Sequence, residues 1–177
     1  MGLDITAYEK VTLVRALGVK QYNNDEEAQT RAEADDGTYL YQDGKRSQSD
    51  GMPDGVYTTS GASLGFCAGS YHGYNAWRDE MAKVVIGKSA EDVWRMCEMP
   101  ITATKAEAER PLPFVELINF SDCEGFIGPK TSAKLAADFA NYQEKVDAAG
   151  GDYFRAKYAE WRKAFTMASN GGAVRFH

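Results

Sequence analysis

The densest cluster of polar and aromatic side chains lies in residues 69–78, where a glycine-rich loop meets the start of a predicted helix. A helix N-terminus presents free N–H groups and partial positive charge, which suit a phosphate or a carboxylate. Tyrosine rings would stack on a planar ligand, a histidine would move a proton, and an arginine would pair with an anion. We predict ligand-binding roles here for Tyr71, His72, Tyr74, Asn75, Trp77 and Arg78. The alternative is a strand-to-helix turn whose aromatic rings pack in the core and whose helix is capped by Ser70 or Asn75.

A second candidate segment, residues 119–128, places Asp122 and Glu124 on either side of Cys123. The two carboxylates would contact the polar edge of a ligand, form an acid–base pair or hold a divalent cation. Cys123 would be a nucleophile if His72 or His177 lay beside it. The alternative is an ordered turn with side-chain caps. The spacing does not supply the further ligands of a calcium-binding loop, so we predict no metal here.

The motifs of common enzyme classes are missing from the sequence, which contains no GxSxG, P-loop, HExxH or GxGxxG segment. Only two histidines are present, and the three cysteines form no CxxC pair. We therefore predict reduced thiols, no cofactor and no assigned catalytic residue, and we favour a binding protein over an enzyme.

The predicted strands and helices that position these segments lie mostly in different halves of the chain. Alternating or short apolar runs predict strands at residues 3–14, 38–41, 56–59, 64–68 and 173–176. A 3.6-residue apolar period predicts helices at residues 74–86, 89–97, 114–120, 129–149 and 152–169. Loops are predicted at 99–110 and 121–128, and Asp43-Gly44 predicts a hairpin turn with a returning strand near Arg46. Strands in the N-terminal half and helices in the C-terminal half indicate an α+β fold, with an antiparallel sheet covered on one face by helices.

A chain of 177 residues with 44% apolar content fits one domain, which we place at residues 1–177. Nine acidic and three basic side chains between Asn23 and Asp54 give that segment a net charge of −6, equal to that of the whole chain. Within it, residues 21–36 would be a short helix or a mobile segment, and residues 47–55 a loop. Because phosphate neutralisation needs a basic face, a nucleic-acid partner is disfavoured.

No apolar stretch approaches the roughly 20 residues needed to span a bilayer. The first ten residues lack the basic and apolar regions of a secretory signal, so we expect a cytoplasmic protein without a membrane partner.

Four segments resemble a family of uncharacterised phage and prophage proteins. They are MGLDI at residues 1–5, GSYHGYNAWR at 69–78, PFVELINFSDCEGFIGP at 113–129 and GGAVRFH at 171–177. The resemblance implies a viral or prophage gene product that acts in the cytoplasm of a bacterial host, with an accessory role such as interference with host defence. It implies no catalytic residue.

Three hypotheses follow from these observations. The first is a binding protein that holds a small anionic or nucleotide-like ligand, or a host protein, through residues 71–78 with Asp122 and Glu124. The second is a small hydrolase with His72 as general base, Asp122 or Glu124 as acid or metal ligand, and Arg78 as anion clamp. The third is a protein-interaction module that acts through its acidic segment, with affinity that falls as salt rises. Exposed aromatic residues would equally serve a homo-oligomer interface.

Overall fold

The computed structural model describes residues 2–42, 47–98 and 112–177. Its strands are β1 (Gly2–Ala16), β2 (Gly37–Leu40), β3 (Gly55–Ser70), β4 (Gly125–Ile127) and β5 (Ala173–Phe176). Its helices are α1 (Val19–Tyr22), α2 (Glu26–Glu33), α3 (Tyr71–Ile86), α4 (Ala90–Glu98), α5 (Val115–Ile118), α6 (Pro129–Asn141), α7 (Gln143–Ala149) and α8 (Asp152–Ala168). A 3-10 turn covers Ser47–Ser49.

The five strands form one antiparallel sheet in the order β2-β3-β1-β5-β4. The long strands β1 and β3 pair from Gly2↔Ser70 to Ala16↔Gly55, and β5 pairs with β1 from Ile5↔Phe176 to Tyr8↔Ala173. The α+β class, the N-terminal origin of most of the sheet and the short C-terminal strand are confirmed.

Residues 56–59 and 64–68 are strand, as predicted, but the break between them was wrong, and so was the loop at 125–127. Residues 56–59 and 64–68 belong to a single strand, β3, because Gly61 takes a positive φ of 79° in an irregularity that the sheet absorbs. There the Glu9 carboxylate accepts the N–H of Ala62 at 2.7 Å, so the strand continues through its glycines. Residues 125–127, predicted as loop, form β4, whose pairing with β5 overrides the turn-like composition of the segment.

One face of the sheet carries the main core. Leu3, Ile5 and Ala7 of β1 alternate inward, where they meet the apolar sides of α3, α5, α6 and α8. At its centre Trp161 packs against Tyr74, Trp77, Phe165 and Phe176, with ring centroids 5.4 to 5.8 Å apart. This layer fixes the start of α3 relative to the sheet.

The opposite face of the sheet curls over a smaller core, formed by Leu40, Tyr57, Phe126 and Ala173. The curl brings the edge strands β2 and β4 towards each other, although they are at opposite ends of the strand order. Gly128 donates its N–H to the carbonyl of Gln48 at 2.8 Å across this gap. A third small core, under α2, contains Leu17, Ala28, Tyr39 and Val56.

Several helix boundaries follow from local chemistry. Gly87 ends α3 in the left-handed region, and Ser89 caps α4 by accepting the N–H of Asp92 at 3.1 Å. The predicted helix 129–149 is broken at Tyr142, which no glycine or proline marks in the sequence. Gly151 is the N-cap of α8, and Asp152 is the first residue of that helix.

Residues 21–36 are mainly helical, because Asp25 caps α2 by accepting the N–H of Ala28 at 2.9 Å. The predicted hairpin turn at Asp43-Gly44, the strand near Arg46 and the loop 99–110 lie outside the described residues. In the part of the chain that the structure describes, no helix has the length and apolar character required to cross a membrane.

Candidate functional site

The two candidate segments contact each other. Ser70 caps α3 by accepting the N–H of Gly73 at 3.0 Å. One turn later, the side-chain amide of Asn75 donates to Oδ2 of Asp122 at 2.8 Å. Two of the sequence blocks that carry the resemblance are therefore joined directly in space.

Arg78 occupies the centre of this junction, and only 3% of its surface is exposed. Its Nη1 donates to the carbonyl oxygens of Phe120 at 2.6 Å and Ile118 at 3.1 Å, and its Nη2 donates to Oδ1 of Asn75. No carboxylate of the described residues forms an ion pair with it. Main-chain carbonyls at and after the end of α5 therefore accept the hydrogen bonds of Nη1, while Nε is buried without a partner, and the residue holds the 114–122 segment against α3.

Tyr74 and Trp77 are covered from both sides by the core. Tyr74 has no exposed surface, and the Arg78 guanidinium lies 4.5 Å from its ring centroid. Burial raises the pKa of the Tyr74 hydroxyl well above its usual range. Trp77 is 3% exposed and donates Nε1–H to the carbonyl of Phe154 at 3.4 Å. Neither ring has a face on which a ligand could stack in this conformation.

Tyr71 and His72 lie at the surface, at the start of α3, and Tyr71 is 37% exposed. Among the described residues, His72 forms no ion pair or hydrogen bond with Asp122 or Glu124. The structure thus brings Asn75, Arg78 and Asp122 together and leaves the predicted proton-transfer group outside the cluster.

Glu124 and Asp122 have different side-chain partners. The Glu124 carboxylate accepts the hydroxyl of Tyr41, and burial together with this hydrogen bond raises the pKa of Tyr41. Cys123 contacts the hydroxyl of Ser121 at 3.4 Å. The two carboxylates are therefore not a pair, and the described residues contain no group of three or more His, Cys, Asp or Glu side chains able to hold a metal.

Sequence reasoning missed Arg175, which lies on β5 on the curled face. Its Nη1 donates to Oγ1 of Thr38 at 3.4 Å, and Thr38 also accepts the Tyr8 hydroxyl at 3.1 Å. Its Nε is buried without a hydrogen-bond partner, and no carboxylate of the described residues forms an ion pair with it. Within the described part of the chain, its one hydrogen bond is therefore the long contact to Thr38.

A stack of three tyrosines packs in the small core under α2. Tyr22 lies face to face on Tyr39, with ring centroids 3.8 Å apart and an interplanar angle of 5°, and Tyr39 neighbours Tyr41 at 5.7 Å and 18°. Burial raises the pKa of Tyr22, and the nearby Arg175 charge acts in the opposite direction, as it does on Tyr41. We call Arg175, Thr38 and the three tyrosines the arginine–tyrosine cluster.

One sequence signal pointed to this cluster. The predicted last strand, Ala-Val-Arg-Phe, holds one charged residue among apolar neighbours, and such a residue needs a partner once the strand packs. Its neighbours come from β2 and from the segment before α2, more than 130 positions away, and strand periodicity alone cannot show that proximity.

Comparisons of the chain with protein-family models, with curated proteins and with solved structures found no match.

Proposed function

We propose that the chain is a non-catalytic binding protein of phage or prophage origin, and that it holds a small anionic, nucleotide-like ligand at the arginine–tyrosine cluster. The observation that carries the proposal is Arg175, which is half-buried and unpaired with any described carboxylate, and whose charge acts on the hydroxyls of Tyr22 and Tyr41, the outer rings of the tyrosine stack.

The charge of Arg175 supplies the anion preference. A guanidinium that leaves water is normally paired with a carboxylate or with several acceptors, and Arg175 has one weak acceptor, Thr38. A phosphate or carboxylate would accept charge-assisted hydrogen bonds from the unused donors, each worth about 1.5–3 kcal/mol.

The tyrosine rings would favour a ligand that carries a planar group. Tyr22 and Tyr41 are each partly exposed, whereas Tyr39 between them is buried. Stacking of a base on an aromatic side chain contributes about 1–3 kcal/mol and tolerates any base. An anion that carries an aromatic ring would therefore bind more tightly than the same anion alone.

The sequence resemblance indicates where such a protein would act. A phage or prophage product with such a site would act in the cytoplasm of its bacterial host. By holding a small ligand of the host, or a host protein, it would interfere with host defence. The described contacts favour binding over hydrolysis, since Asp122 pairs with Asn75 and Glu124 with Tyr41 and neither pairs with His72.

Isothermal titration tests the proposal with three probes: AMP, ribose 5-phosphate and inorganic phosphate. We expect AMP to bind more tightly than ribose 5-phosphate, and Arg175→Gln to weaken AMP binding at least about tenfold, the equivalent of one charge-assisted hydrogen bond. Arg162→Gln, which removes an exposed arginine of α8, is the matched control and should bind AMP as the wild type does. The proposal is wrong if none of the probes binds, or if both variants bind AMP equally well.

A further inference from the structure

A groove of about 720 Å³ separates α2 from the far end of the β1–β3 ribbon. Apolar residues from both sides line it: Val14, Ala28, Ala34 and Val56. Of these, Val14 is 50% exposed and Ala34 is also exposed, whereas Ala28 and Val56 are buried. This end of the sheet therefore leaves apolar surface in contact with water, which is unfavourable unless another molecule covers it.

The rim of the groove is negatively charged. Its two arginines are neutralised within the chain, since Arg15 pairs with Asp25 at 2.8 Å and Arg31 pairs with Asp36 at 2.7 Å.

The remaining rim charges are Glu26 and Glu27, which are exposed and form no ion pair with any described residue. They belong to the segment that carries the net charge of −6.

We propose that this groove binds an amphipathic helix of a partner protein, with an apolar stripe flanked by lysine or arginine. An apolar floor between carboxylates complements that pattern of side chains, and the helix-in-groove arrangement is a common mode of peptide recognition. The eight residues of α2 span about 12 Å, so two turns of the partner helix fit along it and insert two or three apolar side chains.

The probe is a fluorescein-labelled peptide of about 14 residues, long enough for four helical turns, with leucine at helical spacing and lysine elsewhere. A second peptide has glutamate in place of every lysine. Fluorescence anisotropy at low and high salt should show binding of the lysine peptide only, with affinity that falls as salt rises.

Two variants separate the charges from the apolar floor. Glu26→Gln combined with Glu27→Gln should weaken binding at low salt about tenfold, and Val14→Ser should weaken it at both salt concentrations. Glutamine is used because lysine in the first turn of α2 would also oppose the helix dipole. Glu144→Gln, at an exposed position on α7, is the control and should leave the affinity unchanged.

The proposal is overturned if the lysine peptide does not bind, or if all variants bind it equally. Sedimentation velocity supplies the remaining test. Self-association of the wild type that Val14→Ser abolishes would show that a second copy of the chain covers the groove, and would also overturn the proposal.

Discussion

The guanidinium of Arg78, on α3, donates a hydrogen bond to the carbonyl oxygen of Phe120 at 2.6 Å. This contact joins two segments that the sequence marks as chemically rich, and it places both in the interior. The segment that composition most strongly suggested as a binding site is therefore the part of the protein that holds the 114–122 segment in place.

Replacement of Arg78 should destabilise the fold. Arg78→Met removes the hydrogen bonds that Nη1 donates to the carbonyls of Ile118 and Phe120, and a hydrogen bond from a charged donor contributes about 1.5–3 kcal/mol. We expect a loss of about 3 kcal/mol in the free energy of unfolding, measured with urea. Arg95→Met, at an exposed position paired with Glu91, should cost less than about 1 kcal/mol. Equal stability of the two variants would contradict the role given to Arg78.

Asn75 and Asp122 should be energetically coupled. A double-mutant cycle with Asn75→Ala and Asp122→Ala should yield a coupling free energy of about 1 kcal/mol, because each substitution removes the same hydrogen bond. A coupling indistinguishable from zero would mean that the contact does not hold in solution.

Asp50 should stabilise α6 from a distant part of the chain. Its carboxylate accepts the N–H groups of Lys130 at 2.6 Å and Thr131 at 3.0 Å, which makes it a helix cap. Asp50→Ala should lower the free energy of unfolding by about 1–2 kcal/mol, as measured with urea. Asp152→Ala, which removes a fully solvated side chain, is the control. An equally small decrease in the free energy of unfolding for both variants would argue against a capping role for Asp50.

Stability should fall below about pH 6.5 because of His177. Burial, and secondarily the charge of Arg175, lowers the pKa of its imidazole below 6.5 in the folded state. As the pH falls through 6.5 the unfolded chain takes up a proton that the folded chain does not, so the free energy of unfolding decreases. Urea titrations at about pH 7.5 and pH 5.5 should show a smaller decrease for His177→Gln than for the wild type; identical decreases would contradict this.

The elements with a strong period were predictable from the sequence. The apolar stripe of α8 predicts that helix, and a glycine marks the end of α3. The alternation of Leu3, Ile5 and Ala7 predicts the inward face of β1. Local patterns decide these elements, because each of them presents one apolar face.

Two features were not predictable, for different reasons. Strand β4 has three residues, and its identity depends on pairing with β5, which lies about 50 positions later. The sequence does not decide the burial of Tyr74 and Trp77, because an aromatic residue near a helix start suits either a core or a binding surface. The arginine–tyrosine cluster forms only through the curl of the sheet, which brings β2 near β4 and β5.

The central claim, that Arg175 binds an anion, is tested most directly by NMR of the arginine Nε–H groups in ¹⁵N-labelled protein. The Arg175 resonance is assigned by its loss in Arg175→Gln, and AMP or inorganic phosphate is then added. We predict a saturable shift of the Arg175 resonance, larger with AMP, while that of Arg162 stays in place. An Arg175 resonance that does not move with either probe, or moves only as much as that of Arg162, would contradict the account.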